Sequence, residues 1–180
     1  MGGQKKVVFI DRDGTINIDH GFVHKIENWQ WCDGAIEALK KLDNGGFKLV
    51  VATNQSGIGQ GMYTVNDMKK VHEFMQNELK KQGVLIAKIL FCPHRRDAGC
   101  KCRKPKVGMI DGLEEEIGKI DYGSSWMIGD KMADMEFGKN MRVKTALIKS
   151  RYWKEAELER KPDIIVESLV EAAERILISS

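Results

Sequence analysis

No stretch of this 180-residue chain approaches the ~20 consecutive apolar residues that a membrane-crossing helix requires, so no membrane is expected among its partners. The opening, MGGQKKVVFI, holds only four apolar residues in a row, too few for the core of a signal peptide. Lys6 stands where a myristoylation signal wants Ser or Thr. A cytoplasmic location is therefore expected. Cysteine is scarce as well: four residues are too few for a disulfide scaffold. Nor does one sign of charge dominate, since the net charge of +3 is too small to argue for nucleic acid. The one basic run, Arg95, Arg96, Lys101, Arg103, Lys104 and Lys106, lacks the interleaved aromatic residues that stack bases. Internal repeats, linkers and low-complexity tracts are absent. What is present, 42% hydrophobic and 31% charged residues, describes an ordinary globule. One domain over residues 1–180 is expected, large enough for a core without staples and, by default, a monomer.

The chain is organised around Phe9-Ile10-Asp11-Arg12-Asp13-Gly14-Thr15. Val7 to Ile10 reads as a buried strand, because β-branched and aromatic residues pack well on a pleat covered on both faces. In extended geometry residues i and i+2 point the same way, so Asp11 and Asp13 converge at the strand's end. Crowded carboxylates repel unless a cation holds them ionised. Magnesium takes one or two carboxylates together with phosphate oxygens and water.

Downstream, residues 15–32 show no helical period and read as a flap or hairpin. Asp33 is the expected N-cap of a helix from Gly34 to about Asn44. Lys48–Thr53 reads as a second buried strand, followed by the glycine-rich loop Asn54–Gly61. Thr64 caps a helix to about Lys81. Strands are expected at Ala87–Phe91, Ser125–Ile128, Thr145–Lys149 and Asp163–Val166, and helices at about Val107–Ile117 and Met132–Asn140. Ser168 and Glu171 form a capping box for a last helix through Ile178. Alternation of strand and helix predicts an α/β fold: a three-layer, Rossmann-like parallel sheet with a small flap and no large cap domain. Ligands gather at the carboxyl ends of such strands.

Every polar motif lies at such an end. The first strand delivers Asp11 and Asp13, the second Thr53 and Asn54, and the third leads to Arg103 and Lys104. The fourth ends in Gly129-Asp130-Lys131, with Asp134 beyond it, a residue that could equally support Lys131 or the next helix. Carboxylates, a hydroxyl, a lysine and an arginine in one crevice suit phosphoryl transfer, which needs positioning and charge neutralisation. Between the third strand and Arg103 lie Cys92, His94, Cys100 and Cys102, a Cys₃His set that fills all four positions of a structural zinc ion. Cys32 stands apart and reads as an ordinary buried cysteine.

DxDGT, a strand-end threonine, a later lysine and GDxxxD, in that order, resemble the haloacid dehalogenase superfamily of aspartate-nucleophile phosphatases. The resemblance spans nearly the whole chain. It implies that Asp11 attacks phosphorus, that Asp13 is general acid and base, and that Thr53 and Lys104 hold phosphoryl oxygens. It further implies that Asp11, Asp130 and the carbonyl of Asp13 bind magnesium. The cysteine loop narrows the likeness to a branch containing histidinol-phosphate phosphatases and heptose bisphosphate phosphatases. The segments GTINIDHGFVH and NQSGIGQGMYT look like the heptose group, which makes a small phosphorylated sugar the expected substrate. By that resemblance Asp19, His20, Gly21, Phe22, Asn54, Gln55, Ser56, Arg103 and Lys131 line the sugar and its second phosphate. TNQSGIGQG also resembles polynucleotide 3′-phosphatases, although a nucleic-acid partner is not expected. A zinc-binding interaction module with a decayed site is a further alternative, opposed by the intact Asp11, Asp13, Thr53, Lys104 and Asp130.

Overall fold

Six short aliphatic runs pair side by side into one parallel sheet: β1 (Val7–Ile10), β2 (Lys48–Asn54), β3 (Ile86–Cys92), β4 (Trp126–Gly129), β5 (Lys144–Ile148) and β6 (Ile164–Val166). Their order across the sheet is β3-β2-β1-β4-β5-β6. The computed structural model describes residues 3–150 and 161–179. Alternate residues of each strand feed opposite layers. Val8 and Ile10 of β1, with Leu49 and Val51 of β2, pack toward one apolar cluster, and Val7, Phe9, Val50 and Ala52 toward the other. The first cluster is closed by α1 (Ala35–Asn44), α3 (Val65–Lys81) and α6 (Leu169–Ile178). The second is closed by α4 (Leu113–Ile117) and α5 (Met132–Met141). This is the expected three-layer α/β fold. Its central strand, β1, lies between β2 and β4, so the order reverses beside it and opens a crevice at its carboxyl end.

The segment between β1 and α1 contains a 3₁₀ turn at Ile26–Asn28 and a base held by Ile18 N–H on Gln30 O (2.8 Å) and Cys32 N–H on Ile16 O (2.9 Å). It is a small flap, and the connections after β2 and β3 insert no cap domain either. Thr64 caps α3 through a reciprocal box with Asp67 (3.1 and 3.0 Å). Ser168 receives the Glu171 N–H (3.2 Å), while the Glu171 carboxylate reaches one residue further back, to the Glu167 N–H.

Three expectations about elements are corrected. Asp33 does not cap α1; Gly34, in a left-handed turn (φ 69°), precedes the helix without a side-chain cap. The glycine-rich loop after β2 contains a single helical turn, α2 (Ser56–Gly59). The helix expected over Val107–Ile117 is broken into a 3₁₀ turn, Gly108–Ile110, and the five-residue α4. Gly112 adopts the left-handed conformation between them and stops propagation.

Candidate active site

The end of β1 turns sharply. The carbonyl of Arg12 accepts from the N–H groups of Thr15, Ile16 and Asn17, and Gly14 N–H donates to Asn17 O (2.7 Å). Gly14 takes φ +91°, a conformation that favours glycine, and a β-carbon there would run into the Asp130 carboxylate. The tight turn thus brings the first and fourth strand ends into contact. Asp11, Asp130 and Asp134, all at most 4% exposed, place carboxylate oxygens within 4.8 Å of one another.

Two ammonium groups face this acidic cluster. Lys104 Nζ lies 2.8 Å from Asp11 Oδ1, 2.6 Å from Asp134 Oδ1 and 2.6 Å from the carbonyl of Ala52. Burial disfavours its charge, but Asp11 and Asp134 overcome that and hold the lysine protonated above its ordinary range. Lys131 Nζ donates to the carbonyl of Asp13 (2.9 Å) and to Asp130 (3.2 Å), and lies 3.7 Å from Asp11 and 3.5 Å from Asp19. Even so, burial pushes the Asp130 carboxyl up to about 7; the Lys131 charge opposes this, and Asp11 and Asp134 add to it. Among the described residues, three carboxylates face two ammoniums, an excess of negative charge. A hard divalent cation with oxygen preference fits that donor set, and Asp134 belongs to it beside the expected Asp11 and Asp130.

Asp13 faces a different neighbourhood. Its Oδ1 accepts from Arg12 Nη2 (2.8 Å) and Nε (3.2 Å) and from the Asn17 amide (3.0 Å). Its Oδ2 accepts from the Gln55 amide (2.9 Å). The same amide donates to the buried Thr53 Oγ1 (2.8 Å), and Gln55 Oε1 accepts from the Tyr63 hydroxyl (2.7 Å). Tyr63 stacks against His24 of the flap, with centroids 4.7 Å apart.

A crevice of about 590 Å³ joins these groups. Asp11, Asp13, Thr53, Lys104, Lys131 and Asp134 form its floor, and Asp19, Gly21, Phe22, Asn54, Gln55, Ser56 and Arg103 its walls. The expected catalytic residues and all but one of the expected sugar contacts are therefore brought together. His20 is the exception. It lines a separate depression with Glu27, Asn28, Trp29 and Gln30, and its ring meets Gln30 Oε1 at 3.2 Å. Arg96 and Tyr63 also line the crevice and went unnoticed in the sequence as site residues. Asn54 binds the Lys104 peptide on both sides, accepting from its N–H (3.1 Å) and donating to its carbonyl (3.3 Å). That clamp fixes the start of the segment carrying the lysine.

Beside the crevice, the Cys92, His94, Cys100 and Cys102 ligand atoms lie within 4.8 Å of one another. The Cys92 sulfur is 3.3 Å from that of Cys102 and 3.6 Å from that of Cys100, and His94 Nδ1 is 3.2 Å from Cys102. Tetrahedral zinc, with Zn–S of about 2.3 Å, puts sulfurs a little under 4 Å apart, so the cluster has the dimensions of a closed zinc site.

A family model described as polynucleotide kinase 3 phosphatase matches residues 6–158. A curated relative from Pasteurella multocida, named D-glycero-beta-D-manno-heptose-1,7-bisphosphate 7-phosphatase, is 40% identical over 174 residues, covering 93% of this chain and 94% of its own. One from Campylobacter jejuni carries the alpha-anomer form of that name. It is 40% identical over 156 residues, covering 87% of this chain and 89% of its own. Among solved structures, the D,D-heptose 1,7-bisphosphate phosphatase from B. bronchiseptica, complexed with magnesium and phosphate, superposes with a TM-score of 0.87. It is 28% identical and covers 97% of this chain and 99% of that one.

Proposed function

The chain belongs to the polynucleotide kinase 3 phosphatase family, within the haloacid dehalogenase superfamily, and on that premise we propose that it hydrolyses a phosphate monoester of a small sugar bisphosphate. The substrate is D-glycero-D-manno-heptose 1,7-bisphosphate, losing its C7 phosphate, in keeping with the names of relatives that match along nearly their whole length. One observation carries the mechanism: Asp11, Asp13, Thr53, Lys104 and Lys131 all open onto one crevice of about 590 Å³, of a size suited to a small molecule.

Asp11 is the nucleophile. One of its oxygens bonds to phosphorus as the bond to the sugar oxygen breaks, giving an aspartyl-phosphate that water then hydrolyses. Covalent transfer of this kind replaces one hard displacement with two easier ones. Asp13 gives its proton to the departing sugar oxygen and takes one back from the attacking water, help typically worth ~10²–10⁴-fold. Thr53 and Lys104 hold the phosphoryl oxygens, with Lys104 kept charged by its carboxylate partners. Asp11, Asp130 and the Asp13 carbonyl, with Asp134 beside them, would hold magnesium, which would supply the positive charge that lets a carboxylate approach a phosphate dianion. Cys92, His94, Cys100 and Cys102 hold a structural zinc that fixes the path to Arg103 and Lys104. Arg103 and Arg96, on the wall, suit the second phosphate, since guanidinium matches phosphate geometry. Four thiols outside disulfides suit a reducing, cytoplasmic setting.

The test is twofold. Asp11→Asn is expected to remain folded and lose all measurable turnover and all acid-stable phosphoryl label; sustained hydrolysis by that variant would overturn the mechanism. Phosphate release is then compared across heptose 1,7-bisphosphate, fructose 1,6-bisphosphate, histidinol phosphate and a 3′-phosphorylated oligonucleotide. Heptose bisphosphate is expected to lead, and a clear preference for histidinol phosphate would refute the substrate while sparing the chemistry. The family description favours the oligonucleotide as the second reading.

A further inference from the structure

Arg12 heads the wholly buried side chains by size among the described residues, yet the scheme above leaves it unused. A buried charge is costly unless paired and hydrogen-bonded, and this one is paired on every side. Nε and Nη2 donate to Asp13 Oδ1, Nη2 also to the carbonyl of Val23 in the flap (2.6 Å), and Nη1 meets His72 Nε2 of α3 (3.0 Å). Guanidinium has donors only. His72 Nε2 must therefore accept, which makes its ring neutral with the proton on Nδ1. Burial, and then the Arg12 charge, hold His72 down at about 3, so the ring stays an acceptor through the neutral range.

We propose that Arg12, anchored by His72 and by the flap carbonyl of Val23, is a positioning residue that aims the Asp13 carboxyl at the leaving-group oxygen. The inference rests on the reading of Asp13 as general acid. Oδ1 is pinned by Arg12 and Asn17, so it is Oδ2, against the Gln55 amide, that carries the transferable proton. In the first step the Asp11–phosphorus bond forms and the phosphorus–sugar oxygen bond breaks. The electron pair of the broken bond stays on the sugar oxygen, which receives the Asp13 proton. Misplacement by about 1 Å can cost a reaction ~10²-fold, and two anchors on two segments, α3 and the flap, prevent that drift.

A purely structural ion pair and a positioning one differ in their leaving-group dependence. A sugar alkoxide needs the proton, whereas p-nitrophenolate departs without it. The experiment measures kcat/KM, which reports the steps up to departure, for heptose 1,7-bisphosphate and for p-nitrophenyl phosphate. In Arg12→Met and His72→Leu the sugar-to-aryl ratio is expected to fall about tenfold or more. In His72→Gln, which restores an acceptor, it is expected to return to within about threefold of the native value. Equal losses on both substrates, or none, would overturn the proposal. Should Arg12→Met fail to fold, the two His72 variants decide alone. Asp13→Asn separates the premise from the inference. If its ratio falls while those of the Arg12 and His72 variants do not, the general acid stands and the tether is wrong. If its ratio does not fall, both are wrong.

Discussion

Gln55 shows how far a side chain's contacts can depart from its place in a motif. The resemblance implies a sugar contact for it, and it does line the crevice, but its amide is spent on Asp13 Oδ2, Thr53 Oγ1 and the Tyr63 hydroxyl. Gln55→Leu strands three polar groups, and leaving a buried group unsatisfied costs ~1–3 kcal/mol. Steady-state kinetics of that variant should show kcat falling about 10–100-fold with KM within about threefold, because aim rather than affinity is lost. A large rise in KM with kcat intact would return Gln55 to the sugar. His72 carries a second prediction, on stability. Its folded value of about 3 lies below the ordinary 6.5, so the unfolded chain binds a proton that the native one refuses. That contribution is complete above pH 6.5 and is lost as pH falls toward 3, at up to about 1.4 kcal/mol per pH unit. Denaturant unfolding at stepped pH should find this part of the acid slope missing in His72→Gln. An unchanged slope would mean that His72 is not held neutral. Asp11 and Asp13 were legible because DxDGT follows directly on a buried apolar run, although the chain turns just past Ile10 and Asp13 meets Arg12, Asn17 and Gln55 rather than the Asp11 cluster. The partners of Arg12 were not, since His72 lies sixty positions along the chain and meets it only through packing.

Strands proved easier to read than the segments between them. The six apolar runs are bounded by turn residues, and each strand falls within about two residues of its expected limits. The break at Gly112 was invisible because apolar spacing continues across it and only the backbone turns. The same holds where two loops meet. A β-carbon on Gly59, in α2, would lie 2.8 Å from both the Arg95 nitrogen and the Pro93 carbonyl oxygen, backbone atoms of the cysteine loop with no freedom to rotate away. Gly59→Ala should therefore destabilise by ~1–3 kcal/mol through overpacking, and should weaken zinc retention measured against a competing chelator. Full stability would show that the two loops move independently. Removing zinc itself tests what the cluster contributes. With magnesium replenished, the zinc-free protein is expected to melt several degrees lower, as loss of a ligand bound only to the native state requires. Its KM for the bisphosphate should rise more than its kcat falls, because the Cys92–Cys102 loop leads into Arg103 on the crevice wall. Identical melting with and without zinc would sink the structural role.

At the scale of the molecule, the family description and the curated relatives point to different substrates, a polynucleotide end and a heptose bisphosphate, and the disposition of positive charge decides between them. Three of the six residues of the basic run that could have formed a nucleic-acid track are committed elsewhere. Lys104 is buried against Asp11 and Asp134, Lys106 donates to the carbonyls of Gly99 and Cys100, and Arg95 pairs with Asp97. Arg96 and Arg103 line the crevice itself. A single strand bound along a track of Z phosphates releases counterions and gives a salt slope of about −0.7Z. Among the described residues, two guanidiniums and the one proposed phosphate site predict a slope no steeper than about −2 for an oligonucleotide. Stacking would add ~1–3 kcal/mol per base, but among the described residues Phe22 and Tyr63 are the only aromatic residues on the crevice wall, and Tyr63 is already stacked on His24. Binding of a 3′-phosphorylated oligonucleotide should accordingly be weak, with a salt slope no steeper than about −2, and its turnover at least about 10²-fold below that of the heptose bisphosphate, a gap of ~3 kcal/mol in transition-state stabilisation. A steep salt slope together with faster release from the oligonucleotide would show that the exposed face beyond Arg96 guides a strand, and would make this chain a nucleic-acid end-processing phosphatase instead.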